Sequence, residues 1–228
     1  MSVCVVIPWR ATDCPHRLRA LEFVTARYAQ EYPGWQVAVG EHNAGPWCKA
    51  AAVDAALAQT QAEILIVADA DCWVDGLAEA VAAVSTAAPW AVPHRGVRRL
   101  TVESTARYMA GEPWEMLELD ERAYLGVEGG GVTVLHRNVY EMVPLDPRFL
   151  NWGSEDESWG WAMRCLVGHP VRLKYPLIHL WHPPQERARR HMGSLQNWDL
   201  RKRYARARDR EHVMRHLIEE AKSCSVLS

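Results

Sequence analysis

The chain has 228 residues, of which 49% are hydrophobic and 24% charged, and its formal net charge is −2. These values are typical of one globular domain, alone or with a helical appendage, and they exclude disordered and fibrous proteins. The near-neutral charge gives no indication of a nucleic-acid partner for the chain as a whole, and no apolar run reaches the about 18 residues of a membrane-spanning helix.

Strand and helix patterns alternate through the first 90 residues. Apolar and β-branched runs predict strands at 3–7, 35–39 and 64–68, and helical spacing follows at 17–31, 47–59 and 75–87. Three strand-then-helix units favour a parallel α/β sheet with right-handed crossovers. Ligands of such sheets bind beyond the carboxyl ends of the strands. This chain has polar loops at those ends, at residues 8–10, 40–43 and 69–71.

The pattern is less regular after residue 90. Strands are predicted at 90–93, from the glycine run at 129–131 to 135, at 171–175 and at 177–181, and helices at about 100–123 and 155–167. From residue 185 the sequence is charged and helical. A thin apolar stripe there predicts an amphipathic helix packed on the domain, and its members are Tyr204, Val213, His216, Leu217 and Ala221.

The expected fold class is therefore α/β. We expect a domain over residues 1–184, with a mixed, mainly parallel central sheet and helices on both of its faces. A C-terminal helical extension over residues 185–228 would pack on this domain. The sequence shows no internal repeat and no linker long enough to define a second independent domain.

Asp69 and Asp71 flank a single residue directly after the apolar run at 64–68. Two carboxylates at this spacing can converge on a hard divalent cation, which takes oxygen ligands and bridges to diphosphate oxygens. With ten Asp in the chain, a D-x-D arises by chance with a probability of roughly 0.4. The position beyond a strand end is what favours a ligand site, because α/β enzymes bind ligands there.

A second cluster of acids occupies the segment Trp-Gly-Ser-Glu-Asp-Glu at 152–157. Ser154 and Glu157 fit a capping box, which explains these two residues without any catalytic role. Capping does not require the Trp-Gly pair or a third adjacent acid. A carboxylate at a helix start, opposite a metal and diphosphate site, is placed to take a proton from an acceptor hydroxyl.

Two histidines, His179 and His182, follow an apolar run and precede Pro183 and Pro184. A single histidine is more often structural than a metal ligand. Two within four residues, next to a rigid Pro-Pro pair, indicate an imidazole that completes a metal site otherwise made of carboxylates.

In this order, the three segments resemble those of GT-A glycosyltransferases, in particular the family 2-like enzymes and the β-1,4-galactosyltransferase-like C-terminal domains. The resemblance covers roughly residues 3–183 and implies a GT-A, Rossmann-like fold. It also implies that Asp69 binds ribose and that Asp71 binds Mn²⁺ or Mg²⁺, with His182 or His179 as a further metal ligand.

The resemblance also implies which residues bind the nucleotide sugar. The turn at 8–10 matches a Pro-aromatic-Arg turn that contacts the nucleotide. Trp47-Cys48-Lys49 matches an aromatic-x-Arg/Lys segment beside the diphosphate, where the family more often has Phe-Asn before the basic residue. The expected nucleotide-sugar-binding residues are Pro8, Trp9, Arg10, Glu41, Lys49, Asp69, Ala70 and Asp71.

On the acceptor side, the resemblance implies a glycine-rich turn and a W-G-x-E-D-[DE] block. In this block Glu155 would bind the acceptor and Asp156 would be the general base. Polypeptide N-acetylgalactosaminyltransferases, which retain anomeric configuration, carry Asn at the position of Asp156, so Asp indicates inversion. The expected acceptor and donor-sugar residues are Gly130, Gly131, Trp152, Gly153 and Glu155.

The expected function is transfer of a sugar from a nucleoside diphosphate sugar, UDP-linked, to an acceptor hydroxyl. Two other functions stay open. A sugar-phosphate nucleotidyltransferase shares the sheet and the acid pair but has a glycine-rich loop after its first strand, whereas residues 8–15 contain no glycine. A non-catalytic carbohydrate-binding protein would use the eleven tryptophans for stacking on sugar rings.

The acceptor and the location of the protein are less defined. A glycan, a protein or a lipid-linked hydroxyl would serve, and the basic stretch at 187–210 adds a modified DNA base as an alternative. The six cysteines have neither C-x-x-C nor zinc-ligand spacing, which predicts free thiols in a reducing compartment. We therefore expect a cytoplasmic enzyme of a bacterium or a phage-infected cell.

Overall fold

Eight strands form one sheet in the computed structural model of this chain, which describes residues 1–184 and 194–225. The strands are β1 (Val3–Trp9), β2 (Gln36–Glu41), β3 (Ile64–Ala68), β4 (Cys72–Val74), β5 (Trp90–Arg99), β6 (Tyr124–Leu125), β7 (Val132–His136) and β8 (Val171–His179). The helices are α1 (Pro15–Glu31), α2 (Lys49–Leu57), α3 (Leu77–Thr86), α4 (Val102–Met109), α5 (Arg137–Met142), α6 (Glu155–Leu166), α7 (Leu195–Ala207) and α8 (Glu211–Ser225).

The strand order is β2-β1-β3-β7-β5-β8-β4, and β6 pairs with β5 at the side of this path. The first three strands along the chain are parallel, as the strand-then-helix pattern predicts. β7 then pairs antiparallel with β3 and with β5, and β8 runs parallel to β5. The predicted α/β class with a mixed sheet is confirmed.

The link between β3 and β4 shows that the sheet is strongly curled. Four strand spacings separate these strands along the hydrogen-bonded path, a distance of about 19 Å in a flat sheet. Only residues 69–71 connect them, and a chain of that length spans at most about 14 Å. The curl therefore brings the far edge of the sheet back toward its centre, and the D-x-D turn lies where the two meet.

Alternate residues of the buried strands face two different cores. In β1, Cys4 and Val6 belong to the core that α2, α6, α7 and α8 also contribute to, whereas Val5 and Ile7 belong to the core beneath α1 and α3. β3 alternates in the same way. Both faces of the sheet are therefore covered, which explains why these strands are continuous apolar runs.

The C-terminal helices pack on the domain through α7 and α8, where Tyr204, Leu217 and Ala221 are buried. The predicted stripe is wrong for His216, which is exposed and lies beside Glu220, while Met214 and Ile218 are buried instead. The domain boundary at 184 stays a prediction, because residues 185–193 lie outside the described residues. No helix within the described ranges is long and apolar enough to cross a membrane.

Several element boundaries differ from the predicted ones. The two strands predicted at 171–175 and 177–181 are the single strand β8, because a register shift beside Gly96 accommodates Pro176 in the ladder. The predicted strand at 90–93 continues to Arg99 as β5. The helical stretch predicted at 100–123 contains only α4 and a 3₁₀ turn at Trp114–Met116. β4, β6 and α5 are too short for their patterns to be recognised.

We predict that Asn197→Ala lowers the melting temperature by several degrees. Asn197 of α7 is fully buried, and its amide donates to the carbonyl oxygens of Leu150 and Gly153 (2.9 Å each) and accepts from the Leu150 N–H (3.2 Å). Unpaired buried polar groups cost about 1–3 kcal/mol each. Thermal unfolding measures the change. The matched control is Asn138→Ala at an exposed position of α5, and equal melting temperatures for the two variants would contradict the prediction.

Candidate active site

An open cleft crosses the carboxyl ends of β1 and β3 and reaches the start of α6. Its walls include nearly all of the residues that the sequence assigns to a site. The cleft is lined by Pro8, Trp9, Arg10, Lys49, Asp69, Ala70, Asp71, Gly130, Gly131, Trp152, Gly153, Glu155, Asp156, His179 and His182. Glu41, predicted to bind the nucleotide, is exposed outside this lining and accepts a hydrogen bond from Asn43 (2.8 Å).

Lys49 joins two carboxylates that are far apart in the sequence. Its Nζ lies 2.7 Å from Asp69 Oδ1 and 2.8 Å from Asp156 Oδ1. Burial alone would lower the pKa of Lys49, but Asp156 and Asp69 outweigh it and raise this pKa well above its usual value. The ammonium group is therefore charged, and both carboxylates are held in fixed positions on one wall of the cleft.

Asp69 is also tied to the glycine-rich turn. Its Oδ2 accepts from the Gly131 N–H (3.1 Å), and its own N–H donates to the Gly131 carbonyl (2.8 Å). Gly131 has φ of +71°, and a Cβ there would lie 2.3 Å from Leu177 Cδ2. Only glycine satisfies both conditions. The turn at 129–131 therefore sets the position of Asp69.

Asp71, His179 and His182 form a second cluster in the cleft. His182 Nε2 lies 3.0 Å from Asp71 Oδ2, and His179 Nε2 lies 3.8 Å from Asp71 Oδ1. One ligand atom from each residue lies within 4.8 Å of the others. Two imidazoles and one carboxylate are a donor set that divalent transition metals accept. These residues fit a metal such as Mn²⁺, and the geometry admits both histidines as ligands.

The protonation of this cluster suits metal binding. Burial would raise the pKa of Asp71, but His179 and His182 outweigh it and hold this pKa well below its usual range. Burial lowers the pKa of His179 to about 4, so its ring is neutral at pH 7. His179 Nδ1 lies 2.9 Å from the Leu180 carbonyl oxygen. An N–H at Nδ1 donates to this oxygen and leaves the lone pair of Nε2 toward Asp71.

Asp156 lies in the first turn of α6, close to the D-x-D turn in space. Burial raises its pKa and Asp69 raises it further, whereas Lys49 opposes both effects. The carboxylate is therefore more basic than a solvated one. The backbone before it has unusual torsions, with φ of 62° at Asn151 and 77° at Ser154. Such strain is found where the surrounding structure fixes a loop for a function.

The capping box predicted at Ser154 and Glu157 is wrong. Ser154 is the N-cap of α6, but its left-handed backbone turns its side chain away from the helix amides and it makes no capping hydrogen bond. Glu157 forms an ion pair with Arg201 of α7 instead. The three acids of this helical turn therefore differ in their surroundings. Asp156 pairs with Lys49, Glu155 is buried at the edge of the cleft, and Glu157 pairs with α7.

Glu155 is the interior member of this group. The side chain is 7% exposed, and Oε2 has no hydrogen-bond partner in the described structure. Burial, followed by the charge of Asp156, raises the pKa of Glu155 to about 7. A buried carboxyl of this kind is neutral at acid pH and has to ionise in the folded protein as the pH rises.

We predict that Glu155→Gln raises the melting temperature at pH 8 and changes it little at pH 5. Glu155 ionises near its ordinary pKa of 4.5 in the unfolded chain and only near 7 in the folded one. Its unfolded form therefore binds fewer protons between these values, and stability falls as the pH rises through this window. Melting curves of both proteins at the two pH values test this, and a variant that gains no stability at pH 8 would contradict it.

Sequence reasoning missed several residues of the cleft wall, which are Arg17, His94, Arg99, Trp198 and Arg201. Arg17 carried a signal that could have identified it, since it is a cation in the first turn of α1, where the helix dipole disfavours positive charge. Trp198 and Arg201 reach the cleft only through the packing of α7 against α6, which no local pattern shows.

Comparison with known proteins gives matches among solved structures alone, because no family model and no curated relative matches the chain. GalNAc-T7 with UDP, GalNAc and Mn²⁺ has a TM-score of 0.53 at 14% identity, and the match covers 88% of this chain and 47% of that one. Glucosyl-3-phosphoglycerate synthase from Mycobacterium tuberculosis, with Mn²⁺, UDP-glucose and phosphoglyceric acid, has a TM-score of 0.51 at 12% identity, with 91% and 79% covered.

A mutant of Drosophila β-1,4-galactosyltransferase 7 with manganese, UDP-Gal and xylobiose also matches, at a TM-score of 0.42 and 12% identity. The match covers 75% of this chain and 64% of that one, so the chain spans less than two thirds of this neighbour. The first two matches extend over most of the chain at very low identity, which is a likeness of fold. The chain has the GT-A fold of glycosyltransferases.

Proposed function

We propose that the protein is an inverting, metal-dependent glycosyltransferase of the hexosyltransferase type. It moves a sugar from a nucleoside diphosphate sugar, a UDP-sugar, to an acceptor hydroxyl. The observation that carries this proposal is the placement of Asp156, Asp69 and the Asp71 cluster on one cleft, with Lys49 joining the first two. Structural neighbours that contain UDP or UDP-sugars and Mn²⁺ support it.

The metal-binding residues would be Asp71, His179 and His182. A bound Mn²⁺ or Mg²⁺ supplies Lewis-acid neutralisation of the charge on the departing diphosphate. Asp69 would bind the ribose of the donor, and Arg10 at the end of β1 would lie toward the nucleotide. Lys49 is held by two carboxylates, so we propose that it positions Asp69 and Asp156 and stays off the diphosphate.

Asp156 would act as the general base. It takes the proton of the acceptor hydroxyl, and the acceptor oxygen forms a bond to the anomeric carbon of the donor. The bond from that carbon to the diphosphate breaks, and UDP leaves with the electron pair. Because attack comes from the face opposite to the leaving group, the configuration inverts. The raised pKa of Asp156 suits this task, since a more basic carboxylate accepts the proton more readily.

The acceptor side of the cleft contains half-buried tryptophans that suit a sugar. Trp152 stacks near Trp47, with ring centroids 6.0 Å apart, and Trp198 lines the same cleft. We propose that Trp152, with Gly130, Gly131 and Gly153, contacts the donor or acceptor sugar. Glu155 would act there through the position of the α6 turn, because its own carboxyl is buried.

The basic stretch at 187–210 gives little support for a modified DNA base as the acceptor. Four of its six described cations, Arg201, Lys202, Arg203 and Arg208, form ion pairs with nearby acids. Residues 187–193 of the stretch lie outside the described residues. We propose a hydroxyl of a glycan, a protein or a lipid-linked sugar in the cytoplasm as the acceptor.

A panel of nucleotide sugars, tested for binding and for slow hydrolysis with Mn²⁺, tests the proposed function. We expect at least one UDP-sugar to bind and to release UDP only when the metal is present. Release of a nucleoside monophosphate or of pyrophosphate would indicate nucleotidyl transfer instead. Binding of free sugars without any cleavage of nucleotide sugars would indicate a carbohydrate-binding protein.

A further inference from the structure

Among the described cations of the cleft that are at least half-buried, Arg17 has the least compensation for its charge. It lies half-buried in the first turn of α1. One guanidinium nitrogen, Nη2, lies 2.8 Å from His182 Nδ1 and 3.3 Å from the Pro183 carbonyl oxygen, and Cζ lies 5.7 Å from the Trp152 ring centroid. These partners are all uncharged or shared with the Asp71 cluster.

The three other described cations of the cleft that are at least half-buried each have a carboxylate partner, whereas Arg10 is exposed to solvent. Lys49 pairs with Asp69 and Asp156, Arg99 pairs with Glu121, and Arg201 pairs with Glu157. Among residues 1–184 and 194–225, no carboxylate oxygen lies within 4.0 Å of an Arg17 nitrogen.

The position of Arg17 on its helix adds to this cost. The amino end of a helix carries a partial positive charge, which favours anions and disfavours cations. The first turn of α1 contains no acid that could offset it. A cation kept in such a place, facing a cleft, is a good partner for an anion that enters from outside.

The contact with His182 is one that metal binding would break. His182 Nδ1 lies close to a donor, Arg17 Nη2, and also to an acceptor, the Pro183 oxygen at 2.9 Å. It can accept from Arg17 only when its ring proton is on Nε2, facing Asp71. An imidazole that ligates a metal through Nε2 has its proton on Nδ1, where it donates to Pro183. Arg17 would then lose this acceptor and keep only the Pro183 carbonyl oxygen, which it would share with the His182 N–H.

We infer that Arg17 binds a phosphate oxygen of the donor's diphosphate. This inference rests on the proposed function, since the diphosphate would lie against the metal ligand that Arg17 touches. The planar guanidinium presents paired N–H groups that match phosphate oxygens. Such charge-assisted hydrogen bonds are stronger than hydrogen bonds between neutral groups. Arg17 of α1 then binds the leaving group, while Lys49 binds the carboxylates of Asp69 and Asp156.

Calorimetric titration of the full chain with UDP and with uridine, at saturating Mn²⁺, tests this inference. Arg17→Gln is expected to weaken UDP binding by roughly 10- to 100-fold and to leave uridine binding unchanged, because only UDP has the phosphates. Arg17→Lys keeps the positive charge but lacks the planar guanidinium. Its UDP affinity should lie between those of the wild type and Arg17→Gln. Arg19→Gln, on the same helix and exposed, is the matched control and should bind UDP like the wild type.

The outcomes separate this inference from the function on which it rests. Equal UDP affinities for Arg17→Gln, Arg17→Lys and the wild type would overturn the role of Arg17 and leave the proposed function intact. UDP affinity would also stay unchanged if Arg17 bound a phosphorylated acceptor instead of the donor. That result would still contradict binding of the donor's diphosphate by Arg17. A wild type that binds no UDP with Mn²⁺ would contradict the proposed function as well. If Arg17→Gln does not fold, the UDP affinity of Arg17→Lys is compared with that of the wild type instead.

Discussion

Asp156→Asn is expected to lower the rate of sugar transfer by about 10²- to 10⁴-fold while UDP affinity changes little. An amide has nearly the same shape as the carboxylate but cannot take the proton of the acceptor hydroxyl. Its oxygen can still accept from Lys49, which lies 2.8 Å from Asp156 Oδ1, so the arrangement of the wall is kept. Steady-state transfer rates and UDP titrations on the same preparations measure the two quantities.

The control for this variant is Asp120→Asn. Asp120 also lines the cleft but is exposed and lies away from the Lys49 bridge, so its loss should change the rate less than about threefold. Two results would count against Asp156 as the base. One is a variant that transfers sugar at the rate of the wild type, and the other is a folded variant that has lost its affinity for UDP.

Asp71→Asn is expected to weaken Mn²⁺ binding by more than about 100-fold and to abolish metal-dependent UDP binding. The substitution removes the only charged ligand of the cluster, and partners outside the first coordination sphere already cost 10- to 100-fold when lost. Titration of Mn²⁺ by electron paramagnetic resonance measures the free ion directly. Asp13→Asn, an exposed acid before α1, is the matched control and should bind Mn²⁺ as the wild type does.

The two histidines can be compared in the same experiment. If both ligate the metal, as the geometry admits, His179→Ala and His182→Ala each weaken Mn²⁺ binding, whereas a variant with unchanged affinity has lost no ligand. Unchanged affinity in all three variants, with the fold retained, would show that the metal binds elsewhere or does not bind.

Much of the sheet could be predicted because its strands are buried on both faces. β1 and β3 are continuous apolar runs, and polar residues follow them directly. This is why the D-x-D turn could be placed at a ligand-binding edge from its neighbours alone. β4 could not be predicted, because three residues carry no periodicity and its partner β8 is about 100 residues away.

For the candidate site, the residue types could be taken from the sequence, but their arrangement in space could not. Its acids and histidines were recognised, but the sequence does not show that Lys49 bridges Asp69 and Asp156, since the three lie on separate elements. The wall formed by α7 depends on Asn197 holding residues 150–153, a contact between distant segments. Such contacts follow from tertiary packing, and local patterns do not determine them.

We propose above all that this cleft binds a nucleoside diphosphate through a metal held by Asp71, His179 and His182. Calorimetric titration of the wild type with UDP, with and without Mn²⁺, tests it most directly. We expect UDP to bind with Mn²⁺ and at least tenfold more weakly after chelation of the metal. UDP binding of the same strength with and without the metal, or no UDP binding in either condition, would contradict the claim.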